Sequence, residues 1–141
     1  MQKGSGKKGG AAAELRWRGR LWLEGAEGTF LGYGRVVLLE RIREHGSLAS
    51  AARSMEMSYK HAWDLLASMT RQAGCPLVVT ARGGKGGGGA TLTPAGEKAV
   101  ALFRKYHERF QQELAAMSAE LTETLCTGAE GATKTGKGEP S

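Results

Sequence analysis

Cysteine is scarce in this chain: two among 141 residues, Cys75 and Cys126, with neither C-x-x-C spacing nor histidines at zinc-finger distance. That pattern argues against a structural metal and reads as free thiols in a reducing compartment. Histidine is scarce too, and His45, His61 and His107 fall in separate segments. None stands beside a serine or cysteine with an acidic third member, so nucleophilic catalysis has no obvious machinery. No apolar run approaches the roughly 20 residues that cross a bilayer. The leading MQKGSGKKGG is followed by the soon-charged AAAELRWRGR, which does not make a secretory leader. These absences predict a cytoplasmic protein that is not an enzyme, needs no cofactor or metal and has no membrane partner.

Glycine and positive charge are what the chain has in excess. There are 22 glycines, and 20 Lys plus Arg against 14 Asp plus Glu give a formal charge of +6. A basic balance of this size suits a polyanionic partner. The length and the 40% hydrophobic content allow one modest core.

The chain divides by composition into a basic tail over residues 1–13, expected to be disordered, a folded domain over 14–125, and a polar, glycine-rich tail over 126–141, also expected to be disordered. From Glu14 to Glu24, Leu15, Trp17, Leu21 and Leu23 alternate with Arg16, Arg18 and Arg20, a strand period. Gly25–Gly28 reads as a turn and Thr29–Leu31 as a short return strand. Over Arg35–His45, Val36, Leu39 and Ile42 recur at helical spacing with Leu38 beside them. Gly46 then supplies a left-handed helix end.

From Ser47 to Ala73 the pattern is two short helices around a tight break at Met55–Met57. Ser47 and Ser58 are both placed to cap a helix start. Leu48, Ala51, Ala52 and Met55 form the first apolar stripe, and Ala62, Leu65, Leu66, Met69 and Ala73 the second. Lys60, His61, Asp64, Ser68 and Arg71 are left on other faces. This is helix-turn-helix spacing, in which the second helix enters a DNA major groove. Small alanines suit a close crossing, although a helical hairpin in an ordinary core shows the same pattern.

Gly74–Pro76 ends the third helix. Leu77–Thr80 and Ala90–Thr93 read as strands, and between them ARGGKGGGG forms a glycine-rich basic loop. A hairpin directly after a helix-turn-helix is a wing. Thr93–Pro94 caps a long helix to about Leu125, along which Phe103, Phe110, Leu114, Met117 and Leu121 form a stripe suited to dimerisation. Folding back on its own domain is the alternative for this helix. Gly131–Gly138 fits G-x-x-x-x-G-K but has Gly138 where a phosphate loop needs Ser or Thr, and neither strand nor helix is expected around it. Trp63 lies between core positions and is expected in the core or at its edge, whereas Trp17 and Trp22 are candidate stacking platforms.

Three stretches in order, Gly46–Ala52 (GSLASAA), Ser58–Asp64 (SYKHAWD) and Gly83–Thr93 (GGKGGGGATLT), resemble the N-terminal DNA-binding domain of the ModE family of molybdate-responsive regulators. The similarity covers roughly residues 30–110, with the LWLE stretch at 21–24 also similar. The resemblance implies a mainly α fold with a small β wing: a winged helix-turn-helix with an N-terminal β-hairpin and a long C-terminal dimerisation helix. It implies a homodimer on a pseudo-palindromic operator in double-stranded DNA. By position, Ser58, Tyr59, Lys60 and His61 would meet DNA from the recognition helix and Arg82 and Lys85 from the wing, where Gly83, Gly84, Gly86 and Gly87 would let the backbone approach the duplex. ModE proteins carry a second, molybdate-binding region of small β-barrels after the long helix. Only about a dozen polar residues follow it here, so molybdate binding is not expected of this chain. A winged helix kept as a protein-interaction or effector-binding module without DNA affinity is the alternative function.

Overall fold

The computed structural model describes residues 15–81 and 89–135, with side chains described as far as Leu125 apart from those of residues 122 and 123. In order, the elements are β1 (Leu23–Gly25), β2 (Gly28–Leu31), α1 (Tyr33–His45), α2 (Leu48–Ser54), α3 (Tyr59–Ala73), β3 (Val78–Ala81), β4 (Gly89–Leu92) and α4 (Pro94–Thr135). The strands form two antiparallel pairs, β1 with β2 and β3 with β4. This is the helix-turn-helix with a following hairpin that the spacing predicts. Contacts gather the chain into two units, one spanning Leu21–His107 and the other joining the segment up to Arg20 with the helix from Glu108 onward.

In the larger unit the core is built from one stripe of each helix. Val36, Leu38, Leu39 and Ile42 of α1, Leu48, Ala51 and Ala52 of α2, and Ala62 and Met69 of α3 are buried together with Leu31, Leu77, Ala90, Ala99, Val100 and Phe103. The junctions are set by local chemistry. Gly46 ends α1 at φ 75°, a conformation that costs a glycine little. Ser47 accepts from the Ser50 amide at 3.0 Å and opens α2. Gly74 closes α3, also at φ 75°.

The wing strands pair in register from Val78 opposite Leu92 to Ala81 opposite Gly89. β4 is tied to the α1–α2 joint by a bond from the Ala90 amide to the Gly46 carbonyl at 2.8 Å. At its other end Thr93 joins wing to helix. Its amide donates to Leu77 O at 3.0 Å, its hydroxyl donates to Pro76 O at 2.8 Å and accepts from the Gly96 amide at 3.0 Å. Gly96 sits so close to the Leu77 carbonyl that an added Cβ would lie 2.2 Å from its oxygen. The wing tip, residues 82–88, lies outside the described residues.

The first turns of α4 dock on α1. Arg104 makes a two-pronged bond to Glu40, Nε to Oε2 at 2.8 Å and Nη2 to Oε1 at 2.7 Å. Its guanidinium carbon lies 5.0 Å from the centre of the Tyr33 ring, a cation–π distance. The bond from Arg104 holds the Glu40 carboxyl below its ordinary range, against the opposing effect of burial, and the same bond pushes the Arg104 guanidinium up. Arg43 pairs with Glu97 as a second tie between these helices.

Three expectations are corrected. The strand expected over Glu14–Glu24 is limited to Leu23–Gly25, because its partner β2 is only four residues long and an unpaired strand leaves its ladder groups unsatisfied. In the smaller unit the preceding segment lies against α4 instead. The Trp17 amide donates to Ser118 Oγ at 2.7 Å, and the Cβ position of Gly19 lies 3.1 Å from the Phe110 ring. Part of the α4 stripe read as suited to dimerisation, at Phe110 and Leu114, therefore lies against this segment. The helix also continues past Leu125 to Thr135, into the stretch read as a disordered tail. Adding a residue to a formed helix is far easier than starting one, and no proline intervenes.

Two outcomes follow for stability. Gly96→Ala should destabilise by about 1–3 kcal/mol in a urea melt, since helix and wing base must part to admit the methyl group. Because the Glu40 pKa is depressed on folding, its contribution is present above the unfolded carboxylate pKa of about 4 and lost as pH falls through the folded value. Glu40→Gln should flatten that acid limb of a pH–stability profile.

Candidate nucleic-acid interface

The turn between α2 and α3 is made by Met55–Met57, and Glu56 holds its left-handed position at φ 57°. The Met57 amide donates to Ala52 O at 3.0 Å, folding the chain back so that α3 starts beside the end of α2. Ser58 has extended backbone, φ −71° and ψ 156°, and its hydroxyl accepts from the His61 amide at 3.0 Å. One first-turn amide is thereby satisfied. Those of Tyr59 and Lys60 have no acceptor among the described residues.

The apolar stripe of α3 decides what is left outside. Ala62 and Met69 are fully buried, and Leu65, Leu66 and Ala73 pack against the core at its margin. Turning that stripe inward presents Ser58, Tyr59, Lys60 and His61 to solvent, all four exposed. Lys60 Nζ reaches Asp64 Oδ2 at 3.0 Å, with the two side chains 82% and 50% exposed. An exposed pair in this Lys-before-Asp order contributes about 0.5 kcal/mol or less, so Lys60 remains available to a stronger anion.

The far end of α3 is held by the N-terminal hairpin. Gln72 Nε2 donates to Thr29 O at 2.9 Å, and Arg71 pairs with Glu27 at 3.1 Å. From α1, Arg35 donates to Ser68 Oγ at 3.1 Å, and burial lowers its guanidinium pKa. The C-terminal half of α3 is thus anchored, and its N-terminal turns protrude.

The other predicted site residues divide. Arg82, Lys85, Gly83, Gly84, Gly86 and Gly87 lie outside the described residues, between strands that do form a hairpin. Phe103 is corrected as a dimerisation residue: it is 5% exposed and stacks on His107 at 5.5 Å, committed to its own core by the Ala99–Val100–Phe103 face. Phe110, Leu114, Met117 and Leu121 are half-buried. Among the described residues no cluster of His, Cys, Asp and Glu suits a metal ion, and no helix is long and apolar enough to cross a membrane.

Trp63, read from sequence as a core or core-edge residue, is 53% exposed. It follows Tyr59 by one helical turn, and Tyr59 is 56% exposed. The signal was present: Ala62 and Met69 fix the buried direction, and at about 100° per residue Trp63 points well away from it.

Residues 34–97 match the family described as bacterial regulatory helix-turn-helix protein, lysR family. The chain is 40% identical over 108 residues to the molybdenum transport protein ModE of Azotobacter vinelandii, covering 77% of this chain and 40% of that protein. It is 49% identical over 76 residues to the molybdenum-pterin-binding protein MopB of Rhodobacter capsulatus, covering 54% and 28%. It is 42% identical over 69 residues to the DNA-binding transcriptional dual regulator ModE of Escherichia coli K12, covering 49% and 26%. The resemblance to ModE read from the three sequence stretches stands, and the chain spans less than half the length of each of these relatives. Together the matches support a helix-turn-helix domain of the kind these regulators carry.

The Ser58 cap can be separated from any contact of its hydroxyl with a ligand. Ser58→Ala should cost about 0.5–2 kcal/mol in thermal or urea unfolding, and Ser58→Asn, which keeps an acceptor for the His61 amide, should cost little.

Proposed function

We propose that a chain carrying a lysR-type helix-turn-helix at residues 34–97 is a sequence-specific double-stranded DNA-binding transcriptional regulator. It works as a homodimer on a pseudo-palindromic operator, and its target genes belong to molybdenum handling, as the names of its relatives suggest. The observation that carries the reading is the exposure of Ser58, Tyr59, Lys60 and His61 on the leading turn of a helix whose opposite face is locked in the core. In this reading α3 lies in the major groove, Lys60 reads a guanine edge or pairs with a phosphate, and Ser58 and Tyr59 bond to phosphates. His61 reaches a phosphate or a base edge. Arg82 and Lys85 grip the neighbouring backbone from the wing, with glycines 83, 84, 86 and 87 allowing close approach.

The two-fold partner is a second copy of α4 and its flanks. Leu102 and Tyr106, one turn apart, are 48% and 43% exposed, off the face that carries Phe103 inward, and they replace Phe103 in the proposed seam. In the smaller unit, Phe110, Leu114, Met117 and Leu121 are half-buried apolar positions that a second copy would also cover. Burying such side chains is what an isologous helical interface requires.

Binding is measured by titrating the chain's own upstream region, and regions of molybdenum-uptake genes, at several salt concentrations. Sequence-selective, salt-steep binding supports the regulator; no binding at low salt supports an interaction module that kept the fold. Lys60→Ala and Lys85→Ala should each weaken binding and reduce the slope of log K against log salt by about 1 if their ammonium groups meet phosphates. Sedimentation should show a dimer that Tyr106→Glu dissociates.

A further inference from the structure

The leading half of α3 carries more than polar groups. Tyr59 and Trp63 form an aromatic strip on a helix whose apolar requirement is already met by Ala62, Leu65, Leu66 and Met69. Both rings are more than half exposed, and neither the Tyr59 hydroxyl nor the Trp63 indole N–H has a partner among the described residues. Trp22 is different: it is also exposed, but its indole donates to Glu24 at 3.1 Å. An aromatic pair standing free on the first two turns of this helix meets whatever the helix docks into.

The setting selects the occupant. The strip is bordered by the Lys60–Asp64 pair and the Ser58 cap, in a chain of formal charge +6. At this end the Lys60 side chain is 82% exposed and the Tyr59 and Lys60 amides have no acceptor among the described residues, an electropositive helix start that fits a polyanion. On the floor of a DNA major groove the one apolar group is the thymine C5-methyl, which protein side chains recognise by apolar contact.

We propose that Trp63, with Tyr59 beside it, is a specificity-determining residue that reads thymine in each half-site by packing its indole on the C5-methyl group. This rests on the DNA-binding reading above and adds what the polar residues of that reading do not supply, a means of telling thymine from cytosine without a hydrogen bond. It also gives the tryptophan a reason to remain in water when the core has no need of it.

The test uses the full chain and a random-sequence duplex pool from which it enriches its own sites. Each thymine of an enriched duplex is then replaced singly by deoxyuridine, which removes the methyl and keeps the pairing. One or two positions per half-site should lose binding by roughly fourfold, the factor for one buried methyl-sized group. In Trp63→Ala, and in Trp63→Gln as a second variant, thymine and deoxyuridine duplexes should bind alike at those positions. Wild-type binding indifferent to deoxyuridine at every thymine, enriched sites without thymine in the half-site, or an unchanged deoxyuridine penalty in the variants would each overturn the assignment to Trp63 while leaving DNA binding intact. Failure to enrich any duplex would instead overturn the DNA-binding reading, and this inference with it.

Discussion

The left-handed turn at Gly46 is the constraint on which the rest of the larger unit hangs. Its φ of 75° ends α1, its own amide bonds back to Ile42 O, and its carbonyl receives the Ala90 amide of the wing. One residue later Ser47 caps α2. First helix, second helix and wing therefore meet within two residues. A side chain at Gly46 would find open space around it, so its glycine is required by the backbone angle and not by crowding. If that angle relaxes, β4 loses its bond to the joint and α2 leaves the position from which it supports α3.

From that joint outward the protein separates holding from presenting. The far end of α3 is fastened through Gln72, Arg71 and Ser68 to the hairpin and to α1, and the near end is held by Ala62 in the core, the Ser58 cap and the turn at Glu56. Rigid anchoring at one end fixes the direction of the other, which suits a surface whose contacts must be kept in register with base pairs. The Glu40–Arg104 clamp, with Tyr33 over the guanidinium, ties the first turns of α4 to α1. It places charge-assisted bonds where two helices leave the core, close to solvent and only partly desolvated.

Much of this was legible in the sequence because short-range chemistry set it. The serine caps at 47, 58 and the threonine at 93, the glycine ends at 46 and 74, and the alanine-rich stripes of α2 and α3 each decide a boundary within three or four residues, and the structure shows every one of them. What misled was long-range. Whether Leu15–Arg20 forms a strand depends on the length of β2 and on Phe110 and Ser118, roughly a hundred residues away. The same contact hides part of the α4 stripe, and Phe103 is buried with residues of α1, α2 and α3. Trp63 was misjudged for another reason: it stands one residue from the core position Ala62 and shortly before Leu65 and Leu66, but about 100° of helical rotation from Ala62 carries it off the buried face. The site is readable as a position in a motif, whereas which aromatic faces water is a property of the assembled core.

Ala51 and Ala52 of α2 and Ala62 of α3 are buried in one cluster, in the core that the two helices share. Side chains of this size set how near the two helices lie, so the depth to which α3 projects is encoded at positions that would never touch a ligand. In a genetic screen for loss of regulation, replacements there by larger residues would gather alongside those on the exposed face, and the two groups would part only when cellular protein levels are compared, since the first lowers abundance and the second does not.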